Sequence, residues 1–568
     1  MIIKKYDKTS KLKIFFNKQS NLIYSFMFGT VAFSIIFSFK FLLDKTGFFY
    51  QADSLFELAA YHAFLNGETL YPIFNTNKIF PQDNFSLIWL SSSQIYFLIL
   101  KALKTIFNLY LFNPLPFYYL INFIIFSYIV QKILNELKVN NIFYISFFQL
   151  MILLNPVFIN RIVYHLNLIT QWSVLLVIYY SIKISRKNDT YYSKLAIFSG
   201  LSINLHPYLA FINAVVFMFY MVDSLFKRKY RIFVNSLSLY LLTFVTFFVF
   251  IIPPNKLIGE SDNFRGAWSA EFNSFFCGNI PNEFLNSKLF CYRPYINYDH
   301  EGYLYLGFGV IVGVFYTLRY LIHIKTLLLN YYPLIISSIL LLIIAFGNKW
   351  KLAHKQIFEF EPNIIFKIFL NAFRSNGRFG WLFYYLVFFG VLYSVYNIKA
   401  SVVRVLSVLL IVVLQFNDLN INYTDYELKQ FNNLQAPSEF IDTSRDLLKN
   451  NAYLLNIYPD DRCFHYENFY YQNDVYIFAI VHLSNGGSID TSRLGRYSGI
   501  YFDRSFCDEY DILSQINKDN PKQFVILNSY VIDEPKLVNG FDCNNIKAYE
   551  KKGGTLLYCK STNFQPNQ

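Results

Sequence analysis

Apolar stretches of about twenty residues, each long enough to cross the hydrocarbon core of a bilayer, recur along the first three-quarters of this chain. They predict spans near 22–43, 116–135, 142–157, 165–184, 193–205, 208–226, 232–252, 303–320, 327–346, 380–397 and 400–415, about eleven in all. The fifth is short and must lie at an angle or be only partly embedded. A content of 54% hydrophobic and 20% aromatic residues fits this class and not a soluble domain. The formal charge of +13 lies largely at the ends of the apolar runs, so it reads as anchoring on the inner side and not as a nucleic-acid surface. Lysines 4, 5, 8, 11, 13 and 18 precede the run Leu22 to Leu43, which is too long for a signal-peptide core and lacks a small-residue cleavage site. It reads as a retained first span with a cytoplasmic N-terminus.

Six cysteines, Cys277, Cys291, Cys463, Cys507, Cys543 and Cys559, all fall outside the long apolar runs. An even number confined to non-membrane segments is what disulfides require, and disulfides persist only in an oxidising compartment. The tail is therefore expected outside the cytoplasm. An odd number of spans starting inside leads to the same topology. Residues 1–415 then form the membrane domain, with external loops near 44–115, 253–302 and 347–379, and residues 416–568 form a small extracytoplasmic α/β domain.

Two segments strain this picture. Ser86 to Asn108 is apolar enough to span but is interrupted by Lys101 and Lys104; it reads as an interfacial helix on the outer face with its lysine heads in water. Loop 347–379 carries Lys349, Lys351, Lys355, Lys367, Arg374 and Arg378, an external positive charge that asks for something to bind. In the tail, Tyr453 to Ile457, Val475 to Val481 and Phe524 to Leu527 read as short buried strands. Ser438 to Lys449 and Asp508 to Ile516 have helical spacing, and Ile546 to Lys560 reads as a hairpin around Gly553-Gly554. Cys543 and Cys559 suit a bridge there, although four tail cysteines allow three pairings. No zinc-type cysteine spacing is present.

The chemistry-bearing residues gather at the outer ends of the spans. Asp53 and Glu57 are one helical turn apart just beyond the first span, near His62; an acid here can accept a proton or bind a cation, or Asp53 can simply start a helix. Arg161, His165 and, one turn later, Thr170 or Gln171 recur at helical spacing as a span begins, which points them toward the protein interior or a water-filled cavity, unless Arg161 and Trp172 simply anchor the helix at the interface. His206 precedes Pro207 and suits a binding group or a helix cap. Arg374 and Arg378 sit four residues apart in Phe373-Arg374-Ser375-Asn376-Gly377-Arg378-Phe379, where two planar guanidinium forks can meet one phosphate, from a substrate or from ordinary lipid. Glu301-Gly302 adds an acid on the same side.

Together these residues give the chain a resemblance to a family of bacterial multi-pass membrane proteins, of unassigned function, grouped with the GT-C glycosyltransferases. The resemblance rests on Asp53, the Arg161–His165–Trp172 run, His206-Pro207-Tyr208-Leu209, Glu301-Gly302-Tyr303-Leu304-Tyr305-Leu306-Gly307, the Arg374–Arg378 segment and the C-terminal cysteines, including Cys507 and the Cys543–Cys559 pair. It implies a GT-C-like fold in the bacterial cytoplasmic membrane. It also implies transfer of a sugar from a polyprenyl-phosphate donor to a cell-envelope glycan, lipid or protein acceptor at the outer face. Asp53 would be the base or a metal ligand. Position 54 is Ser, so the adjacent acidic pair of such enzymes is missing, and a requirement for a divalent metal stays open. Glu57 and His62 are expected to assist, Arg161, His165, Gln171, His206 and Glu301 to line the cavity, and Arg374 and Arg378 to hold the donor phosphate. The rival expectation, a lipid or glycan transporter, would place ionisable residues deep in the spans and would show inverted repeats; neither is evident.

Overall fold

The computed structural model describes residues 8–37, 42, 52–67, 75–76, 78, 85–86, 94–111, 113–159, 166–251, 269–277, 302–318, 324–352, 355–373, 375–418, 446, 454–458, 479–490, 523–527, 541–547 and 555–561. Helices occupy the eleven apolar segments. They are α1 (Lys8–Ile36), α4 (Leu115–Glu136), α5 (Ile142–Leu153), α6 (Trp172–Ser185), α7 (Thr190–Leu201), α8 (Pro207–Phe226), α9 (Tyr230–Ile251), α10 (Phe308–Leu318), α11 (Ile324–Ala345), α13 (Trp381–Tyr396) and α14 (Ser401–Asp418). Two further helices, α2 (Ala52–Asn66) and α3 (Gln94–Phe107), lie between the first and second segments, and α12 (Ile364–Ala372) precedes α13. The connections also hold two short antiparallel pairs, β1 (Asn75–Thr76) with β2 (Phe85–Ser86) and β3 (Lys349–Leu352) with β4 (Lys355–Glu359). Among the described residues five helical stretches are long and apolar enough to cross a membrane: Leu115–Glu136, Leu168–Ser185, Pro207–Phe226, Asn376–Tyr396 and Ser401–Asp418. The chain is thus a polytopic helical membrane protein.

The helices pack through aromatic rings and close backbone approach. Phe33 of α1 meets Phe123 of α4, which meets Phe158; Phe126 joins Phe158 to Tyr385 of α13. Gly29 lets α1 lie directly on α4, since a Cβ there would fall 2.7 Å from Ile124 Cα. Between α4 and α5 a buried amide ladder runs from Ser127 through Gln149 to Gln131 and Asn135. Such interhelical hydrogen bonds hold helices together where apolar burial gives little preference between helix and lipid.

The basic residues that mark one side of the bundle find partners at one set of helix ends. Lys183 and Arg186, at the end of α6, both bind Glu136 at the end of α4 (2.8 and 2.7 Å). Lys229 pairs with Asp189 at 2.6 Å. Asp223, fully buried near the end of α8, takes hydrogen bonds from Lys227 (2.8 Å), Tyr192 (3.3 Å) and Tyr332.

The tail contains a five-stranded mixed sheet in the order β6 (Ser488–Asp490), β5 (Leu454–Tyr458), β7 (Gln523–Leu527), β9 (Thr555–Ser561), β8 (Phe541–Lys547). The first three strands are parallel and β7–β9–β8 antiparallel. Three sequence readings of tail strands match β5, β7 and the β8–β9 hairpin. Of Val475 to Val481, residues 475–478 fall outside the described residues and 479–481 are helical: residues 479–484 form a helical turn, with Asn485 N–H bonded to Val481 O at 3.2 Å. A short fully apolar run has no periodicity to separate the two conformations. The helices expected at 438–449 and 508–516 fall outside the described residues, residue 446 excepted.

The sheet is docked on the segment that follows α1. Ile489 N–H donates to Lys78 O (2.9 Å), Lys78 Nζ to Gly486 O (2.6 Å), and Asn66 Nδ2 to Leu483 O (2.7 Å).

Candidate functional site

At the end of the bundle opposite the Glu136 and Asp189 ion pairs, four chain segments meet that are far apart in sequence. Helix α8 begins at His206, whose extended backbone and Nδ1, accepting from Tyr208 N–H at 3.2 Å, make it the N-cap; Pro207 follows where its missing N–H costs nothing. His206 is thereby the cap that the proline spacing allowed. The cap fixes Tyr208, whose hydroxyl accepts from Ser375 N–H at 2.8 Å. The 3₁₀ turn Asn376–Gly380 then leads into α13, and all five of its residues are buried. Arg378 in this turn is 7% exposed, its guanidinium carbon 4.7 Å from the centre of the Tyr208 ring, with Phe373 and Phe379 packed on the same ring. A guanidinium can lie on an aromatic face and hydrogen-bond in its own plane at the same time.

Residues 303–307 cross beneath this turn, and a Cβ on Gly380 would fall 2.6 Å from Leu304 Cδ1. The sequence placed a span from 303; instead the chain stays extended to Gly307 (φ +84) and helix α10 starts at Phe308. Its start is held from α14: Asp418 Oδ2 accepts from Phe308 N–H and from the Tyr305 hydroxyl, each at 2.6 Å, while Gln415 accepts from Val310 N–H and donates to Leu306 O. A carboxylate at a helix N-terminus meets the positive end of the dipole and an orphan donor together. Leu306 N–H also bonds Phe275 O (3.1 Å), and Ala270 N–H bonds Ala345 O (2.8 Å), which brings in the segments 269–277 and 345–350.

The segment between α1 and α4 reaches the same region by another route. Helix α2 carries Asp53 in its first turn and Glu57 one turn later on the same face; Glu57 is fully buried. The side chain of Asp53 lies outside the described part. His62, five residues beyond Glu57 and so on a different face, is buried with Nδ1 3.0 Å from the Tyr110 hydroxyl. Tyr61 donates to Leu111 O at 2.6 Å, and burial pushes its phenol well above the ordinary range, so it stays a fixed donor. Helix α2 packs against the turn Leu166–Gln171. Gln171 accepts from the Tyr385 hydroxyl of α13 at 2.6 Å, and Trp172 Nε1 donates to Asn122 at 2.7 Å.

Lys101 and Lys104 are half-buried, and their ammonium groups are bonded to protein and not left to water alone. Helix α3 folds back on α2, and Lys101 Nζ donates to Phe64 O and Gly67 O (2.9 and 3.1 Å), Lys104 Nζ to Leu65 O and the Asn66 side chain (3.4 and 2.6 Å). The last carbonyls of α2 have no intrahelical donor, and the two ammonium groups supply one at the negative end of its dipole. Burial lowers the pKa of both. The helix that holds them runs from Gln94, and Ser86 belongs to the two-residue strand β2 (Phe85–Ser86), paired with β1 (Asn75–Thr76).

Of the residues singled out in the sequence, the structure thus connects Glu57, Gln171, His206 and Arg378 through α2, the Leu166–Gln171 turn, α13 and α8. Arg161, His165, Glu301, Arg374, Cys291, Cys463 and Cys507 fall outside the described residues. Among the described residues no cysteine is free, and no group of three His, Cys, Asp or Glu side chains is arranged to hold a metal. Cys277 and Cys559 are in the bonded state, and the β8–β9 register sets Cys543 opposite Cys559. Tyr208, Asn376 and Asp418 were missed as individual residues; Asp418 carried a signal, a lone acid ending the last apolar run. A family model described as a domain of unknown function, DUF6311, matches residues 26–420, ending just past α14. No curated protein and no solved structure matches.

Proposed function

This chain belongs to the DUF6311 family, and on its site geometry we propose that it is a GT-C-type glycosyltransferase acting at the outer face of a bacterial cytoplasmic membrane. In this reading all eleven helical segments span, the N-terminus is cytoplasmic, and the tail is an extracytoplasmic α/β domain closed by a Cys543–Cys559 disulfide. The docking of the tail on the loop after the first span supports placing both on one side. The observation that carries the proposal is Arg378: a guanidinium buried at a helix end, laid on Tyr208, in a turn to which the His206-Pro207-Tyr208 and Tyr303–Gly307 segments converge.

The donor is a sugar linked through phosphate to a polyprenyl chain, which lies among the spans. An acceptor hydroxyl attacks the anomeric carbon; the bond from that carbon to the phosphate oxygen breaks, and its electron pair leaves with the polyprenyl phosphate. Negative charge grows on the phosphate during the step. Arg378, with Arg374 four residues earlier, stabilises it there. Asp53 takes the acceptor proton, with Glu57 as the second acid on that helix face. Displacement in one step inverts the anomeric centre. Arg161, His165, Gln171 and Glu301 hold sugar or acceptor hydroxyls, while His206 and His62 act through the helix start and the Tyr110 contact that they fix. The acceptor is a cell-envelope glycan, lipid or protein.

Membranes carrying the protein, supplied with a radiolabelled polyprenyl-phosphoryl sugar pool, should incorporate label in the wild type and not in Asp53→Asn. Arg378→Gln should raise the donor concentration needed for half-maximal rate by about tenfold or more, the loss of one or two charge-assisted hydrogen bonds. Undiminished incorporation in Asp53→Asn removes it as the base, and an unchanged donor requirement in Arg378→Gln removes the phosphate site.

A further inference from the structure

The turn that presents Arg378 also buries an amide for which the described protein has no use. Asn376 is 1% exposed, and neither its Oδ1 nor its Nδ2 has a hydrogen-bond partner among the described residues. A few ångströms away, Gly347 has φ +65, a conformation in which only glycine is at ease. A Cβ placed on it would stand 3.3 Å from Ser269 Cβ, 3.5 Å from Asn376 Nδ2 and 3.7 Å from Ser269 Oγ, so the glycine lets its backbone lie close against both side chains. The next residue, Asn348, is 5% exposed, and its Oδ1 is likewise buried without a partner. Burying an amide unpaired destabilises a fold. One such amide, beside a glycine whose neighbour in the chain carries a second unpaired amide oxygen, marks a place to be completed by something else.

The donor set states what that is. An anion only accepts hydrogen bonds and an ammonium only donates them; Asn376 offers both roles at once, and Asn348 offers an acceptor. An alcohol hydroxyl donates and accepts through the same oxygen. We infer that Asn376, Asn348 and Ser269 around Gly347 form a subsite for a neutral, hydroxyl-rich ring, the sugar of the donor, beside the phosphate held by Arg378. This inference rests on the transferase reading and assigns its sugar-recognising residues.

The test uses the purified full chain and measures binding of farnesyl phosphate and of its glucose, galactose and mannose phosphodiesters, by calorimetry or microscale thermophoresis. At least one sugar ester should bind the wild type about tenfold or more tighter than farnesyl phosphate, the contribution of one hydrogen-bonded amide. In Asn376→Leu, close to it in volume, that preference should fall to within about twofold while farnesyl phosphate binding is unchanged and the melting temperature is equal or higher, because an unpaired buried amide has been removed. Asn376→Ala should lose the same preference and serves if the leucine variant is poorly folded. A sugar preference that survives in these variants, or a parallel loss of both affinities with a lowered melting temperature, overturns the subsite. Farnesyl phosphate that binds with no sugar preference in the wild type overturns the subsite alone. Failure of farnesyl phosphate to bind overturns the Arg378 phosphate site and the subsite with it.

Discussion

Replacing Lys101 with Met keeps the aliphatic stem and removes two hydrogen bonds, to Phe64 O at 2.9 Å and Gly67 O at 3.1 Å. Charge-assisted bonds of this kind contribute about 1.5–3 kcal/mol each, and an ammonium at a helix C-terminus adds about 0.3–1 kcal/mol. The gross loss is then about 3–7 kcal/mol. Two effects reduce it. The helix end is only partly covered, so water reaches the released carbonyls, and the ammonium itself no longer has to be buried. The lowered pKa of Lys101, caused first by that burial and then by Lys104, is the sign of this second effect. A net loss of about 1–2 kcal/mol remains, local to the end of α2. It should appear as faster amide hydrogen exchange in a peptide covering 60–67, by about 5- to 30-fold, with peptides from α4 unchanged. The pH sign follows from linkage. A folded pKa below the unfolded one means that the unfolded chain holds more protons in the window just below the ordinary lysine value, so protection at this helix end rises with pH through that window, and the slope shrinks in Lys101→Met. Unchanged exchange in the variant, or acceleration spread evenly over the protein, refutes the capping argument.

Three further substitutions probe other parts of the fold. Gly29→Leu forces α1 off the backbone of α4, where a Cβ already meets Ile124 Cα at 2.7 Å and Phe123 O at 2.9 Å; a loss of about 1–3 kcal/mol or more is expected as a lower melting temperature in detergent, and an unaltered melt would show that the helices do not touch there. Asp418→Ala removes the acceptor shared by Phe308 N–H and the Tyr305 hydroxyl; about 2–3 kcal/mol of local protection should vanish from 303–310, measured by hydrogen exchange. Cys543→Ser should liberate one thiol, that of Cys559, detectable by maleimide labelling of the denatured protein without reductant, and should cost the β8–β9 hairpin about 3 kcal/mol; absence of a new reactive thiol would show that Cys559 is bonded elsewhere.

The five helical stretches long and apolar enough to cross a membrane were readable because each identifies itself over about twenty contiguous residues, with no help from the rest of the chain. What could not be read depends on partners far away in sequence. Nothing local distinguishes Tyr303-Leu304-Tyr305-Leu306 from the apolar helix that follows; the break comes from Gly307 and from Asp418 and Gln415, more than a hundred residues later. Lys101 and Lys104 look like groups bound for water until α3 is folded on α2, when they become the donors its last carbonyls lack. His206 was legible as a cap because Pro207 restricts the choice locally. Asn376 was hidden by its neighbours, since in Arg374-Ser375-Asn376-Gly377-Arg378 the charges draw notice and an amide between them has no pattern of its own.

These observations also bear on why the Arg378 end of the bundle is built as it is. Non-helical backbone near a membrane is tolerated only where its polar groups are satisfied by protein or line a cavity. Here the extended segment 303–307, the turn Asn376–Gly380 and the strand-like chain after Ala345 all lie at one end, and long-range bonds secure them: Leu306 to Phe275, Ala270 to Ala345, Ser375 to Tyr208 and Phe308 to Asp418. At the opposite end, helices simply turn and close with ion pairs such as Lys183–Glu136 and Lys229–Asp189. A chain needing only to span a bilayer would use the second construction at both ends. The first gives up helical hydrogen bonds to hold Arg378 and Asn376 in fixed positions, and a fixed guanidinium beside a fixed amide is what recognition of one charged and one hydroxylated group on the same molecule requires.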